Sequence, residues 1–504
     1  MKKVILFILF TLTLSSCDKF LEAEPENFFT TENYYTKPEH AESALNAVYA
    51  FTRSFYIPSG STSQAAYLML ELPTGQARRV SAPINNQVFT DLTYDAQSYY
   101  ALVWWKYAYK GIAAANVVLK YVPGITMNEQ RKKQILGEAR FLRAWYYFNL
   151  VRIFGDVVKI TEPTPDATNV YFGRSSLKSI YEEIIVPDLT AAELSGLPET
   201  DQTGRVSTLA IKSLLAKVYL TMAGFPLNQN DKYSLAKQKA GEVISSGKYS
   251  LFATYEQLRN PSNDNKGENI FMVQFASGIE DFILNKFMVP RNVAITVDRG
   301  AQNGDSLRPD DAFYASFSSQ DLRKKDNQFF YTSYLEYKST RILTFADGPR
   351  IFKFFDENAE KNNAGRSGKA FPLIRYADVL LTYAEAQTKA DGAPNALSYT
   401  SINLVKQRAQ LSSISNQNAT QFIDEVLIER NKELCFENQT WFDMVRTRKV
   451  YDVKANRMAD FIGYTFPYSN STFTVKLTDK NLFFPVPSSE IDANPLLKPN
   501  NAGY

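Results

Sequence analysis

Histidine is almost missing from this chain: His40 is the only one in 504 residues, beside two cysteines and four tryptophans. One histidine excludes the usual multi-histidine zinc and iron sites. Two cysteines, Cys17 and Cys435, cannot build a disulfide framework. An excess of either charge is missing too. Lysine and arginine number 56 against 53 aspartate and glutamate, a formal +3, and loss of a leader carrying Lys2 and Lys3 leaves 3 − 2 = +1. So neutral a chain has no global electrostatic footprint for nucleic acid. After the leader no run of apolar residues is long enough to span a bilayer, which takes about 20. Neither a Walker A pattern nor a G-x-G-x-x-G occurs, so nucleotide chemistry has no support.

What is there is apolar and aromatic. Apolar residues make up 45% and aromatics 14%, with 35 Phe and 30 Tyr. That is ample for a buried core in roughly three domains or one large repeat-built body, and it excludes a disordered chain. Tyrosine in quantity suits helix packing, and it also suits flat platforms for sugar or peptide ligands.

Residues 1–17 read MKKVILFILFTLTLSSC. A positive pair precedes an apolar run from Val4 to Leu14, too short for a permanent span and fitting a cleaved export signal over 1–16. Leu14-Ser15-Ser16-Cys17 resembles the bacterial lipobox, in which the cysteine becomes the lipid-bearing first residue; the plainer alternative is an ordinary signal peptide with a chance cysteine. Cys17 is the expected lipid anchor and the only predicted membrane attachment. Cys435, in ELCFEN, then has no partner and reads as a small buried hydrophobe.

Helical periodicity dominates the rest. From Asn128 to Phe154 a stripe of Ile135, Ala139, Leu142, Tyr146, Leu150 and Ile153 advances by threes and fours. A second stripe, Phe141, Ala144, Trp145, Phe148 and Val151, widens the apolar arc, so this helix must be covered on two sides, as in stacked helix pairs. Gly155 is a natural left-handed stop. Further helices are predicted over 39–55, 97–122, 177–194, 207–223, 233–246, 376–390, 395–411 and 420–447. Ala113, Ala114, Ala115, Ala210 and Ala216 allow close approach. Residues 57–95 and about 251–371 are irregular, with strand-like runs at Ile270–Phe275 and Arg350–Phe355. Loops this long inside a domain are usually functional.

These helices carry a resemblance. Glu138-Ala139-Arg140-Phe141-Leu142-Arg143-Ala144-Trp145-Tyr146-Tyr147-Phe148-Asn149-Leu150, leading to Phe154-Gly155-Asp156, is similar to the hallmark of the SusD/RagB family of surface nutrient-binding lipoproteins. So are Arg205-Val206-Ser207, Arg375-Tyr376-Ala377-Asp378, Glu429-Arg430 with Glu433-Leu434 and Phe436-Glu437, Trp441-Phe442-Asp443, and the C-terminal Pro485-Val486-Pro487 with Gly503-Tyr504. The resemblance implies a mainly α fold: about four tetratricopeptide-like helix pairs, with irregular loop and short β insertions carrying the ligand site. It implies one SusD-like domain over 17–504, with a frame at 39–250 and 372–450, an insertion at about 251–371 and a C-terminal segment at 451–504. It also implies an outer-membrane, surface-exposed location and a partner, a SusC-like TonB-dependent transporter. The expected function is capture of oligosaccharides for that transporter, with no enzymatic activity; oligopeptide capture of the RagB type is the alternative, and a glycoside hydrolase a distant one. One departure stands out: Asn438 follows Glu437 where the family commonly has glycine, and asparagine is expected to keep the left-handed turn.

Glu429, Glu433 and Glu437 recur at i, i+4 and i+8, where a hydrolase reading would seek an acid/base pair. The structural reading is that they pair with nearby Arg430, Lys432 or Arg446, and that Glu138, Arg140 and Arg143 likewise form buried helix ion pairs. Of the adjacent Trp104 and Trp105, one is expected to be core and the other partly exposed, and Trp104 is the only one of the four tryptophans that could serve as a sugar platform. Asp298, Asn303, Asp305, Asp310 and Asp311 offer oxygens for calcium but lack EF-hand spacing, so no cofactor is expected and calcium is a weak signal. For the ligand, the irregular segments supply Tyr67, Arg78, Arg79, Asn86, Phe89 and Tyr94 in the first, and Phe329, Phe330, Tyr331, Tyr334 and Tyr337 in the second. Aromatics stack on sugar C–H faces, and planar polar groups meet hydroxyls. The loops at 57–95 and 280–345 are expected to meet in one shallow site.

Overall fold

A computed structural model describes residues 34–57, 65–79, 84–163, 170–284, 288, 307–336, 339–362, 366–468 and 474–504. Cys17 and the leader lie outside the described residues. The main helices are α1 (Pro38–Ala50), α2 (Tyr99–Tyr121), α3 (Glu129–Phe154), α4 (Val186–Glu193, continuing the helical turns from Leu177), α5 (Thr208–Ala223), α6 (Lys232–Ser245), α7 (Tyr376–Asp391), α8 (Ala396–Arg408), α9 (Ala419–Glu433) and α10 (Thr440–Thr447). Short polar side chains start them: Ser98, Asn128, Ser207, Asn395 and Asn418 each accept a hydrogen bond from a first-turn N–H. Gly155 ends α3 at φ +73°, the left-handed stop the sequence asks for.

Helices adjacent in sequence pack together: α1 on α2, α3 on α4, α5 on α6 and α7 on α8, giving a tetratricopeptide-like stack. The close approach of α2 to α3 depends on Gly111, where an added Cβ would overlap the Tyr146 ring. Tyr146 in turn donates its hydroxyl to the Val48 carbonyl of α1 at 2.7 Å. α6 packs against α7 although residues 246–375 separate them, so that segment leaves the stack and returns to the same place.

The strands of the irregular segments and their neck are short: β1 (Ala77–Arg78), β2 (Asn269–Val273), β3 (Arg308–Pro309), β4 (Phe330–Tyr331), β5 (Ser333–Leu335), β6 (Ile342–Thr344), β7 (Arg350–Ile351) and β8 (Phe371–Arg375). β2 pairs antiparallel with β8 and closes the neck of the insertion. β5 and β6 form a hairpin, and β4 pairs with β7. The expected strand at 350–355 is thus only two residues long, because the N–H groups of Phe352 and Lys353 both donate to the Phe329 carbonyl and break the ladder.

Two expectations need correction. Residues 420–447 are two helices: the chain takes φ +65° at Phe436 and +55° at Asn438 between α9 and α10. Asn438 does hold the left-handed turn, and its side chain adds what glycine could not, donating to the Tyr67 carbonyl at 3.1 Å and to Glu71 at 2.9 Å. Trp104 is no platform: it is 1% exposed, stacks on Phe55 at 4.1 Å and donates its indole N–H to the Ala66 carbonyl. α2 is covered on both sides, so Trp105 is buried as well.

The three flagged glutamates are a socket for the insertion. Glu433 accepts from Arg408 at 2.6 Å, Arg375 at 3.1 Å, Arg323 at 3.4 Å and the Tyr255 hydroxyl at 3.3 Å. Glu429 accepts from Arg323 at 2.6 Å, and Glu437 pairs with Arg375 at 2.7 Å and Lys353 at 2.5 Å. Glu268 takes Arg375 and Arg408. No side chain in this set is more than 4% exposed. The expected partners face elsewhere: on α9 adjacent positions diverge, so Arg430 grips Asp443 and Asp378 and Lys432 reaches the Ser316 carbonyl, while Arg446, on the separate α10, grips Glu385. Glu138 accepts from Arg131, Arg205 and Tyr49, and Arg143 grips Asp188. Cys435 is buried and free, its thiol pushed up to about 12 by burial.

Burial works against the Glu433 charge, but Arg408, Arg375, Arg323 and Lys353 outweigh it and hold the carboxyl at about 2, below its ordinary 4.5. A lowered acid stabilises the fold above its unfolded value, and that contribution is lost as pH falls from about 4.5 towards 2. Glu433→Gln leaves arginines buried and short of a counter-charge, and is expected to cost about 3–5 kcal/mol near neutral pH. Denaturant melts compared at pH 7 and pH 3 check this: the gap between wild type and variant should narrow at the lower pH.

Candidate functional site

Most of the aromatic surplus is absorbed by one continuous core, but a second cluster stands apart from it. Tyr331 and Phe355 are its buried members, with Tyr334, Phe345 and Phe352 half-buried around them. Tyr331 is the keystone, edge-on to Phe345 at 5.0 Å and to Phe352 at 5.1 Å. Phe352 stacks on Phe355 at 4.6 Å, and Tyr334 stacks on Phe345 at 5.2 Å with planes 17° apart. Tyr331, Tyr334, Phe352 and Phe355 line an open cleft of about 950 Å³, at the large end of the range for ligand sites.

The socket positions these residues. Tyr255 turns inward to Glu433, and its neighbour Glu256 lines the cleft. One turn on, Arg259 donates to the carbonyls of Tyr255 and Gln328, with its guanidinium 4.6 Å over the Phe352 ring. Burial lowers the Arg259 pKa to about 10. Lys353 points in to Glu437 while Phe352 points out to the cleft. Amides of Asn260, Asn327, Gln328 and Asn358 and the carboxylates of Asp356 and Glu357 complete the polar lining, and the Leu335–Ile342 cross-strand pair forms an exposed apolar rim.

Of the expected ligand residues, Tyr331 and Tyr334 line this cleft. The other expectations divide. Tyr67 is fully buried and donates its hydroxyl to the Phe436 carbonyl at 2.5 Å, so it packs the insertion down rather than facing ligand. Phe89 and Tyr94 are 1% exposed, stack on each other at 5.5 Å and pack on Phe484; they too are core. Phe329 and Phe330 are core as well. Arg78 pairs with Asp311 at 2.5 Å, and half-buried Arg79 follows it outside the cleft lining. The side chain of Asn86, and Tyr337, lie outside the described residues. The two insertions do meet, through β1–β3 pairing of Ala77 with Pro309 and Arg78 with Arg308. They do not share the cleft: none of its lining comes from 57–95, and part of it, Glu256, Arg259, Asn260 and Pro261 with Phe352 and Phe355 to Asn358, falls outside 280–345 as well. Glu256, Arg259, Asn260, Phe352 and Phe355 were not among the expected residues; the one available signal was Phe352-Lys353-Phe354-Phe355, aromatics flanking a cation that the socket needs.

Other sites are poorer. Asp310 caps the N–H groups of Ala312 and Phe313, while Asp298, Asn303 and Asp305 lie outside the described residues. Among the described residues no group of three or more His, Cys, Asp or Glu is placed to hold a metal. A void of about 30 Å³ beside Arg152, Lys217 and Glu437 has room for water only. Glu429, Glu433 and Glu437 are sealed in ion pairs and offer no acid/base pair to a substrate.

A helical-repeat frame carrying a loop-built, aromatic-lined cleft on an insertion defines the class of protein. A sequence model described as "SusD family" matches residues 295–504, and one described as "Starch-binding associating with outer membrane" matches 20–220. A SusD superfamily protein from Parabacteroides distasonis is 38% identical, with 95% of this chain and 100% of that chain covered at a TM-score of 0.87. A SusD-like protein from Bacteroides ovatus is 26% identical over 99% of this chain and 97% of its own length. Surface glycan-binding protein A from Bacteroides thetaiotaomicron, solved with laminarihexaose, shares the fold at 20% identity and a TM-score of 0.73, covering 91% of this chain and 98% of its own. The chain belongs to the SusD/RagB family. Among the described residues no helix is long and apolar enough to cross a membrane.

Packing and binding residues separate experimentally. Tyr67→Phe removes a buried hydrogen bond, and a loss of about 1–2 kcal/mol in denaturant melts is expected, with ligand affinity unchanged in titration.

Proposed function

We propose that this protein is a non-enzymatic binding protein that captures an oligosaccharide in the Tyr331–Tyr334–Phe352–Phe355 cleft. The observation that carries the proposal is the aromatic cluster itself, which stands outside the core and opens on a cleft edged by amides and carboxylates. Half-buried Tyr334, backed by Phe345, is the platform for an apolar sugar face, and planar amides meet the hydroxyls. The laminarihexaose complex of the Bacteroides thetaiotaomicron relative supports a glycan as the ligand. The description of the family matched at 20–220 supports an outer-membrane location.

The finer reading is that Cys17 bears the lipid that holds the protein at the outer membrane. From there the protein passes its ligand to a SusC-like TonB-dependent transporter. The family membership supports both parts. Cys17→Ser is expected to release the protein from washed outer membranes of cells lacking the transporter, since lipid would be the only apolar anchor; retention would contradict it.

Affinity electrophoresis and calorimetry over a glycan panel test the ligand class. Tyr334→Ala is expected to weaken glycan binding roughly ten- to a hundredfold, the scale of losing an interface anchor, with little change in melting temperature. Binding of peptides and of no glycan would replace the ligand class with oligopeptides.

A further inference from the structure

The arginines of the socket are spent: Arg323, Arg375 and Arg408 pair with Glu429, Glu433 and Glu268, their side chains at most 4% exposed. Arg259 is different. It makes no ion pair among the described residues, although Glu256 and Glu357 act on its charge from farther off. Only its Nη1 is engaged, by the carbonyls of Tyr255 at 3.3 Å and Gln328 at 3.1 Å. Its Nε and Nη2 meet no acceptor among the described residues, neither is sealed from solvent, and the residue lines the cleft. We infer that Arg259 is a ligand-contacting residue that sets specificity, its Nε–Nη2 edge gripping two neighbouring hydroxyl oxygens of one sugar ring; this deepens, and rests on, the reading of the cleft as the glycan site.

The guanidinium is fixed before any ligand arrives. Arg259 ends a five-residue helix, Tyr255–Arg259, whose first turn is closed by reciprocal bonding of Thr254 and Gln257. At the tip, Nη1 is tied to two carbonyls, and Phe352, stacked on Phe355 with planes 16° apart, backs the group at 4.6 Å. Burial lowers its pKa only to about 10, so it keeps its charge at neutral pH. A planar fork held this way needs little ordering on binding. Its free edge presents two parallel N–H groups, which suit a pair of oxygens on adjacent ring carbons. A hydroxyl also accepts from Arg259 while donating onward to Glu256, which lines the same cleft; a purely accepting oxygen does only the first. Tyr334 cannot supply this discrimination, because stacking on an apolar ring face places a sugar without reading which hydroxyls it carries.

The test uses a neutral oligosaccharide whose binding is weakened in Tyr334→Ala, and a set of the same chain each lacking one hydroxyl. In the wild type, loss of either gripped hydroxyl is expected to weaken binding about ten- to a hundredfold, the scale of a hydrogen bond to a charged group. In Arg259→Lys and Arg259→Gln the parent chain should bind more weakly by a similar factor, and those deoxy forms should then bind within about twofold of it. A merely structural role would lower every affinity alike and keep the deoxy pattern, and that result overturns the inference. A crystal structure of the wild type with the parent chain is the second measure should both variants fold poorly: Nε and Nη2 beyond hydrogen-bond distance of every sugar oxygen overturns the inference too. Binding weakened by Tyr334→Ala but unchanged by Arg259→Gln overturns the inference and leaves the glycan site standing. Failure of every neutral glycan to bind overturns both.

Discussion

One buried carboxylate organises this molecule. Glu433, at the end of α9, collects Arg323, Arg375, Arg408 and Tyr255, and of these only Arg408 belongs to the helical stack proper. The others come from the insertion and its neck. A charge desolvated this completely is stabilising only while every partner is in place. Removing a partner therefore leaves a buried charge uncompensated, and the network acts as a register mark: the insertion seats in one position or the socket stays unsatisfied. Glu268, Arg323 and Lys353 each bring a different stretch of the insertion to the same glutamate-rich turn.

The cleft follows from that seating. Its residues lie a few positions from the anchoring ones and on the opposite side of the chain: Glu256 after Tyr255, and Phe352 and Phe355 around Lys353. Phe329 shows the continuity, edge-on to Tyr255 at 4.7 Å with the Lys353 ammonium 4.2 Å over its ring. Inward groups satisfy the socket, and outward groups build the aromatic wall. A rigid frame with a tightly seated insertion lets the cleft surface change without disturbing the stack.

The helical stack was legible in the sequence because apolar periodicity and polar caps are local signals. The doubled stripe on α3 announced that it would be covered on two sides, and Gly155 its end. The cleft residues were not legible in the same way. Tyr67 and Tyr334 are the same side chain in similarly irregular, aromatic-rich segments. What separates them is the Phe436 carbonyl that buries the first hydroxyl and the open cleft beside the second, and both are long-range facts. The glutamate triplet was legible as structural, but its partners were not, because they lie up to 178 positions away in sequence, as Tyr255 does from Glu433. Asn438 is the counter-example: its left-handed turn was predictable from residue type alone.

The central claim is that the socket holds the cleft in shape. Hydrogen exchange of Arg323→Met against wild type tests it most directly. Loss of protection concentrated in residues 255–260, 327–335 and 350–358, with α2 and α3 unchanged, is the predicted result. Uniform loss across the stack, or an insertion that keeps its protection, would contradict it.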